Sequence, residues 1–342
     1  MENKKLSPND REFDREFSTE LFKEKNDIQE IAKKVKEMFK DSPRIAEYLI
    51  DKIIETLEIV GNFEVAKIVT DVLENYKNAP EIAEEVASTI LEIAKDPEGL
   101  KVLKSIAEAY NDSDVREGII ELYKKTRQNN LRISRIVTIK IGYTAGYIRN
   151  SEVIKFIANN VLKKYKDYPE VVEVIMYLIE SIARSTKDSE IVNFVAKMYA
   201  DKEVRETIEK YKDMPEVIGE IVWKIGNFAL QTGNLESVKF IVKIYRDDDV
   251  KQAIERYKNN PDDVAKIIRK IEKTALEASN ERVVKNLVEL VKNRRIGKYI
   301  INLSDESVIK ICEQYYDLIK SEGIEGIKKV EIGEILGIDP RD

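Results

Sequence analysis

The chain has 342 residues, 43% of them hydrophobic and 36% charged, and its 58 basic and 64 acidic residues leave a net charge of −6. That is ample apolar material for a core, yet it demands a large solvated surface. There is no histidine and one cysteine, Cys312, which excludes Ser-His-Asp hydrolysis, Cys-His nucleophiles, His-ligated metals, an intrachain disulfide framework and Cys-rich zinc sites.

Along the chain, the first 25 residues carry acids throughout, with no apolar h-region or small-residue cleavage site. We therefore expect no secretory signal or transit peptide, and a cytoplasmic protein. Within this segment Ser7-Pro8 precedes a stripe of Phe13, Phe17, Leu21 and Phe22. The stripe reads as a capping helix over 1–27, with a partner-docking helix as the rival reading. The longest apolar stretches, such as Val171 to Ile179, are broken by Glu or Lys well before the roughly 20 residues of a membrane span, so no membrane contact is expected. Abundant Lys, Glu and Ile with scarce Gln resembles the composition of proteins from hot-growing organisms.

From residue 28 the sequence repeats. FKDSPR at 39–44, YKNAPE at 76–81, YKDYPE at 165–170, YKDMPE at 211–216 and YKNNPD at 257–262 are copies of one segment, and Tyr123-Lys124-Lys125 fills the gap without its proline. The aromatics at 39, 76, 123, 165, 211 and 257 are spaced by 37, 47, 42, 46 and 46 residues. A proline just after the aromatic ends one helix and is tolerated in the first turn of the next. The helix that follows carries apolar residues four apart: Leu49/Ile53/Leu57, Val137/Ile141/Ala145, Ile175/Ile179/Ala183, Ile221/Ile225/Ala229 and Ile267/Ile271/Ala275. Next come capping signals, Asn62, Asn150, Asp188, Asn234 and Asn280, each followed within two residues by Glu. Asn and Asp accept orphan backbone N–H bonds, and Glu suits the positive helix start. A short third helix opens at Asp114-Val115-Arg116, Glu203-Val204-Arg205 and Asp249-Val250-Lys251.

The acidic-Val-basic opening resembles the second helix of HEAT repeats, and the long-long-short pattern is similar to armadillo units; the period falls in the range of both. The resemblance covers 28 to about 303 and implies an all-α fold: an α-solenoid of about six two- or three-helix repeats forming a single domain over 1–342. Residues 1–27 and 304–342 would be atypical caps that shield the open core.

Matching positions of stacked repeats form ladders. Two lysine ladders stand out: Lys52, Lys140, Lys224 and Lys270, one residue before the central apolar residue of the stripe, and Lys67, Lys155, Lys239 and Lys285, a few residues past the capping signal. They read as a basic track for phosphates or an acidic protein; the second ladder reads alternatively as local i,i+3 ion pairs, Glu64–Lys67, Glu152–Lys155 and Glu236–Lys239. The charge distribution sharpens the question, with −11 over 1–122, +10 over 123–166 and −5 over the rest. In the basic block Arg132, Arg135 and Arg149 share one side of a helix with Gly142 and Gly146, beside Tyr143 and Tyr147. Arginines, tyrosines and small residues together suit phosphate contact and base stacking. The alternative is that the block pairs with acidic neighbours and the glycines admit an adjacent helix; Gly226, at the same place in a less basic repeat, supports this for Gly142. Trp223 reads as an edge or core aromatic, and Cys312 as a small buried hydrophobe.

No GxxxxGK[ST] or GxGxxG loop is present, so neither a nucleotide nor another small-molecule cofactor is expected, and no metal. Carboxylate-only or Lys-based chemistry stays open. The expectation is a non-enzymatic scaffold holding a macromolecular partner, a protein first and an acidic one if the basic repeat is the contact. A nucleic acid-binding solenoid is the alternative. A HEAT-like DNA glycosylase is a third reading, requiring an acid beside clustered Arg and Trp. Excess acid overall argues against nonspecific nucleic acid binding.

Overall fold

The computed structural model describes residues 26–278 and 280–336. The Phe13 to Phe22 stripe and the end of the expected C-terminal cap lie outside the described residues. Among those described there is helix and turn but no strand, and no helix is long and apolar enough to cross a membrane.

In chain order the helices are α1 (residues 26–38), α2 (Pro43–Val60), α3 (Phe63–Glu74), α4 (Pro80–Ala94), α5 (Pro97–Leu100), α6 (Leu103–Asn111) and α7 (Ser113–Thr126). They continue with α8 (Leu131–Ile148), α9 (Ser151–Ile157) and its π-helical extension Ala158–Leu162, α10 (Pro169–Thr186), α11 (Ser189–Ala200), α12 (Lys202–Lys210), α13 (Pro215–Thr232) and α14 (Leu235–Arg246). The last are α15 (Asp248–Glu255), α16 (Pro261–Ala278), α17 (Glu281–Lys292), α18 (Arg294–Ile300), α19 (Asp305–Gln314), α20 (Tyr316–Glu322) and α21 (Ile324–Leu336).

The recurring sequence signals occupy equivalent places. Proline is the first residue of α2, α4, α10, α13 and α16, where its missing N–H leaves no hydrogen bond unmade. All five apolar stripes are buried. The same spacing after Pro80 places Val86, Ile90 and Ala94 in the core, a stripe that the sequence reading omits. Asn62, Asn234 and Asn280 cap α3, α14 and α17 by accepting the N–H two residues on, Asn150 accepts from Val153, and Asp188 accepts from Glu190 and Ile191. Of the expected short third helices, α12 and α15 have nine and eight residues and begin at caps Asp201 and Asp247, whereas the helix capped by Asp112, α7, runs to 14 residues and is not short; Asn293 caps a further helix, α18, that the sequence reading does not separate.

The turn aromatics have a structural task. The hydroxyls of buried Tyr76, Tyr211 and Tyr257 donate to the carbonyls of Tyr110, Tyr245 and Val291 at 3.0, 2.8 and 2.9 Å. Each acceptor is the penultimate residue of α6, α14 or α17, one of the helix-end carbonyls with no partner inside its own helix. One side chain thus ties a turn to the end of a helix that closes the same stretch of sequence.

The chain divides into two compact units, one of residues up to 169 with 179–192, the other of 170–178 with 193 onward. In the first unit α2 lies beside α4, α4 beside α8, α3 beside α6, and both α6 and α7 against α8. In the second, α13 lies beside α16, α12 beside α14, α15 beside α17, and α19 against α16 and α17.

Candidate partner-binding groove

The basic block of residues 123–166 is largely consumed inside the first unit. Arg135 pairs with Glu84 at 3.6 Å and with buried Glu85, both on α4. Lys163 reaches Asp114 and Glu117 on α7 at 2.9 and 2.6 Å, Lys166 reaches Glu121 at 3.4 Å, and Lys155 lies 4.0 Å from Asp112. Lys125 pairs with Asp167 at 2.7 Å, and Lys140 with buried Glu180 on α10 at 3.0 Å. The charge anomaly is therefore in large part a seam, with cations of one helical segment meeting acids of the neighbouring segments.

The first lysine ladder follows the same rule. Lys140 stands nine residues after its helix start, and its acceptor Glu180 stands eleven after the start of α10. In the second unit Lys224 and Glu272 repeat that relation between α13 and α16 at 3.1 Å. Lys270 is buried and bound to Asp305 and to the Leu303 carbonyl, while Lys52 pairs locally with Glu55 at 2.9 Å. Lys140, Lys224 and Lys270 thus run between helices, not along a solvated track, whereas Lys52 pairs within its own helix. In the second ladder Lys239 pairs with Glu236 at 2.9 Å and Lys285 with Glu281 at 2.9 Å, whereas exposed Lys67 has no ion pair among the described residues.

The two glycines of α8 separate. A Cβ on Gly142 would stand 2.4 Å from the Tyr110 hydroxyl and 2.6 Å from Thr89. Gly226 faces Tyr199 in the same way, at 2.5 Å. Each bare turn admits a tyrosine from a preceding helix, whose hydroxyl donates to Thr138 or Val222 at 2.8 or 2.7 Å. Gly142 is thus a packing glycine. A Cβ on Gly146 would make only ordinary contacts, the nearest at 3.4 Å to Ile106.

Gly146 opens on a groove of about 840 Å³ in the first unit. One wall is the end of α4 with Glu92 and Ile93, then Asp96, α5 and Val102; the other is the last turns of α8 with Tyr143, Tyr147 and Arg149, joined by Lys187. The Tyr143 and Tyr147 rings are four residues apart on one helix face and nearly parallel, with centroids 6.3 Å apart and planes at 21°. Partial burial raises both phenols above their ordinary value, and neighbouring Glu92 adds to this at Tyr143. Arg132 lies exposed near the start of α8, outside this lining.

Arg149 and Lys187 are alike in an unusual respect. Four helices of 18 residues end on a left-handed residue whose N–H bonds back to the fourth residue before it: α2 at Gly61, α8 at Arg149, α10 at Lys187 and α13 at Gly233. Glycine is the ordinary choice there. Arg149 and Lys187, at φ 49° and 53°, are the described non-glycine residues with positive φ, a conformation that costs a side chain about 1 kcal/mol or more. Sequence reading singles out Arg149 but misses Lys187. The signal was present in the sequence, because the residues just before the capping Asn62, Asn150, Asp188 and Asn234 read Gly61, Arg149, Lys187 and Gly233.

Trp223 is part-exposed and belongs to the second unit, whereas the arginine-bearing groove belongs to the first. Cys312 is fully buried, and burial pushes its thiol up to about 12, which makes it unreactive. Among the described residues no group of three or more Cys, Asp or Glu side chains is placed to hold a metal. No protein-family profile matches the chain, and no curated protein is similar to it in sequence.

Proposed function

We propose that the chain is a non-enzymatic binding scaffold, an α-solenoid of about six helical repeats over residues 28–303 that holds a protein partner. The repeat reading is supported by the recurrence of one kit: a proline-started helix, an Asn- or Asp-capped second helix and a turn tyrosine tied to a helix-end carbonyl. The binding reading rests on one observation. Most cations of the basic block are spent on internal acids, yet a groove beside them keeps two solvent-facing cations next to a pair of part-exposed tyrosine rings. Function has to be argued from such a site, because helical-repeat architecture serves many tasks.

Capture from native lysate with the tagged full chain, with and without nuclease, tests this. A protein partner should be retained in both arms and should co-elute with the chain at fixed stoichiometry on size exclusion. Retention of nothing, or only of nuclease-sensitive material, would overturn the reading.

A further inference from the structure

We propose that the groove between the end of α4 and the last turns of α8 docks an acidic segment of the protein partner. Two of its carboxylates would meet Arg149 and Lys187, and an apolar or aromatic residue would lie against Tyr143 and Tyr147. This deepens the scaffold reading and rests on it.

Charge complementarity carries the choice of occupant. The acids of the groove are already engaged: Glu92 with Lys95 at 3.4 Å, Glu98 with Lys101 at 2.5 Å, and Asp96 as the cap that accepts the Glu98 N–H at 2.9 Å. Arg149 and Lys187 have no ion pair or side-chain hydrogen bond among the described residues. The groove thus offers two cations without an ion pair against one carboxylate without one, Asp96, which is held as a helix cap. Backbone conformation gives an independent argument. Both cations occupy left-handed caps where the equivalent residues are Gly61 and Gly233, and the two exceptions line one groove. Strain retained at two neighbouring positions, each in favour of a cation, points to a use for the side chains. A polynucleotide fits less well, because its phosphates recur at every nucleotide and would continue past the two cations over a molecule with net charge −6. A short peptide places its carboxylates at one end and its apolar side chain on the rings.

The test uses arrays of 12-residue peptides probed with the full chain. One set combines Asp and Glu with Leu, Tyr and Pro, a second replaces the acids by Asn and Gln, a third replaces them by Lys, and 12-nucleotide single strands complete the panel. The acidic set should be retained, and its amide counterparts should bind at least tenfold more weakly. Because glycine is at ease at both caps, the double variant Arg149→Gly, Lys187→Gly should melt no lower than the wild type while losing at least tenfold in affinity for the acidic peptides. Equal binding of the amide set, stronger binding of the Lys set or the oligonucleotides, no binding at all, or undiminished affinity in the double variant would each overturn the proposal. The two readings fail separately. A lysate partner that the double variant still holds leaves the scaffold standing and removes this site, whereas the absence of any partner removes the scaffold itself.

Discussion

Gly142 and Gly146 sit one helical turn apart, and their surroundings give them opposite expected behaviour. Alanine is the better helix former by about 1 kcal/mol. At Gly142 that gain is outweighed, because the added methyl would stand 2.4 Å from the Tyr110 hydroxyl and overpacking of this kind costs roughly 1–3 kcal/mol. Gly142→Ala should therefore lower Tm by a few degrees. Gly146→Ala meets nothing closer than 3.4 Å, so it should raise Tm slightly while narrowing the groove wall. Thermal melts of the two variants decide it; a shift of the same sign in both would mean that the Tyr110 contact does not hold the two helices as described. In sequence both are helical glycines beside a tyrosine, set apart in that Gly142 has a counterpart, Gly226, in another repeat whereas Gly146 has Leu230 at its place. The physical difference lies with a tyrosine more than thirty residues earlier in the chain.

At the scale of elements, the tyrosine ties make a second contrast. Tyr211 donates to the Tyr245 carbonyl at 2.8 Å, and Tyr211→Phe removes that bond and strands a buried helix-end carbonyl, a loss of about 1–2 kcal/mol. Tyr245 is itself fully buried, but its hydroxyl has no hydrogen-bond partner among the described residues. Where Tyr110 and Tyr199 find a glycine turn and a carbonyl, the corresponding residue of α16 is Glu272, already bound to Lys224. Tyr245→Phe should accordingly cost less than Tyr211→Phe, or stabilise. Urea titrations of both variants give the order, and the reverse order would contradict the hydrogen-bond assignment. The elements themselves were legible in sequence because their determinants are local: the four-residue stripes, the prolines at helix starts and the Asn and Asp caps each act within a turn or two. The π-helical turn at Ala158–Leu162 was not, because no residue between Ser151 and Lys163 marks it.

For the whole molecule, ion pairs both within helices and between segments distant in sequence set the expected response to acid. Lysine partners hold the carboxyls of Glu55, Asp167 and Asp248 below their usual range, Asn159 and then Lys163 do so for Asp114, and Lys243 with Lys285 brings Glu281 to about 2. A carboxyl whose pKa is depressed on folding contributes stability above its unfolded value, and that contribution is lost as pH falls through the folded value. Burial raises Glu84 and Glu220, whose opposite sign partly offsets the loss. Tm should hold nearly level from pH 7 to about 4.5, then fall steadily towards pH 2, and 0.5 M salt at neutral pH should lower it modestly by screening the exposed pairs. Melts followed by circular dichroism across this range are the measurement. A Tm indifferent to pH down to 2 would show that the network contributes nothing.

The sequence by itself determined the helical content, the helix starts, the caps and the buried stripes, because each depends on side chains within a few residues of one another. It also displayed the charge of the 123–166 block without revealing its use. Whether Lys140 meets solvent or Glu180, and whether Arg135 meets a ligand or Glu85, depends on which helices lie side by side, and partners 40 and 50 residues apart leave no local trace. Tertiary packing alone could spend most of that charge internally and leave Arg149 and Lys187 facing one groove, since a cation's availability is decided by what its neighbours place within 4 Å of it, not by its own position in the chain.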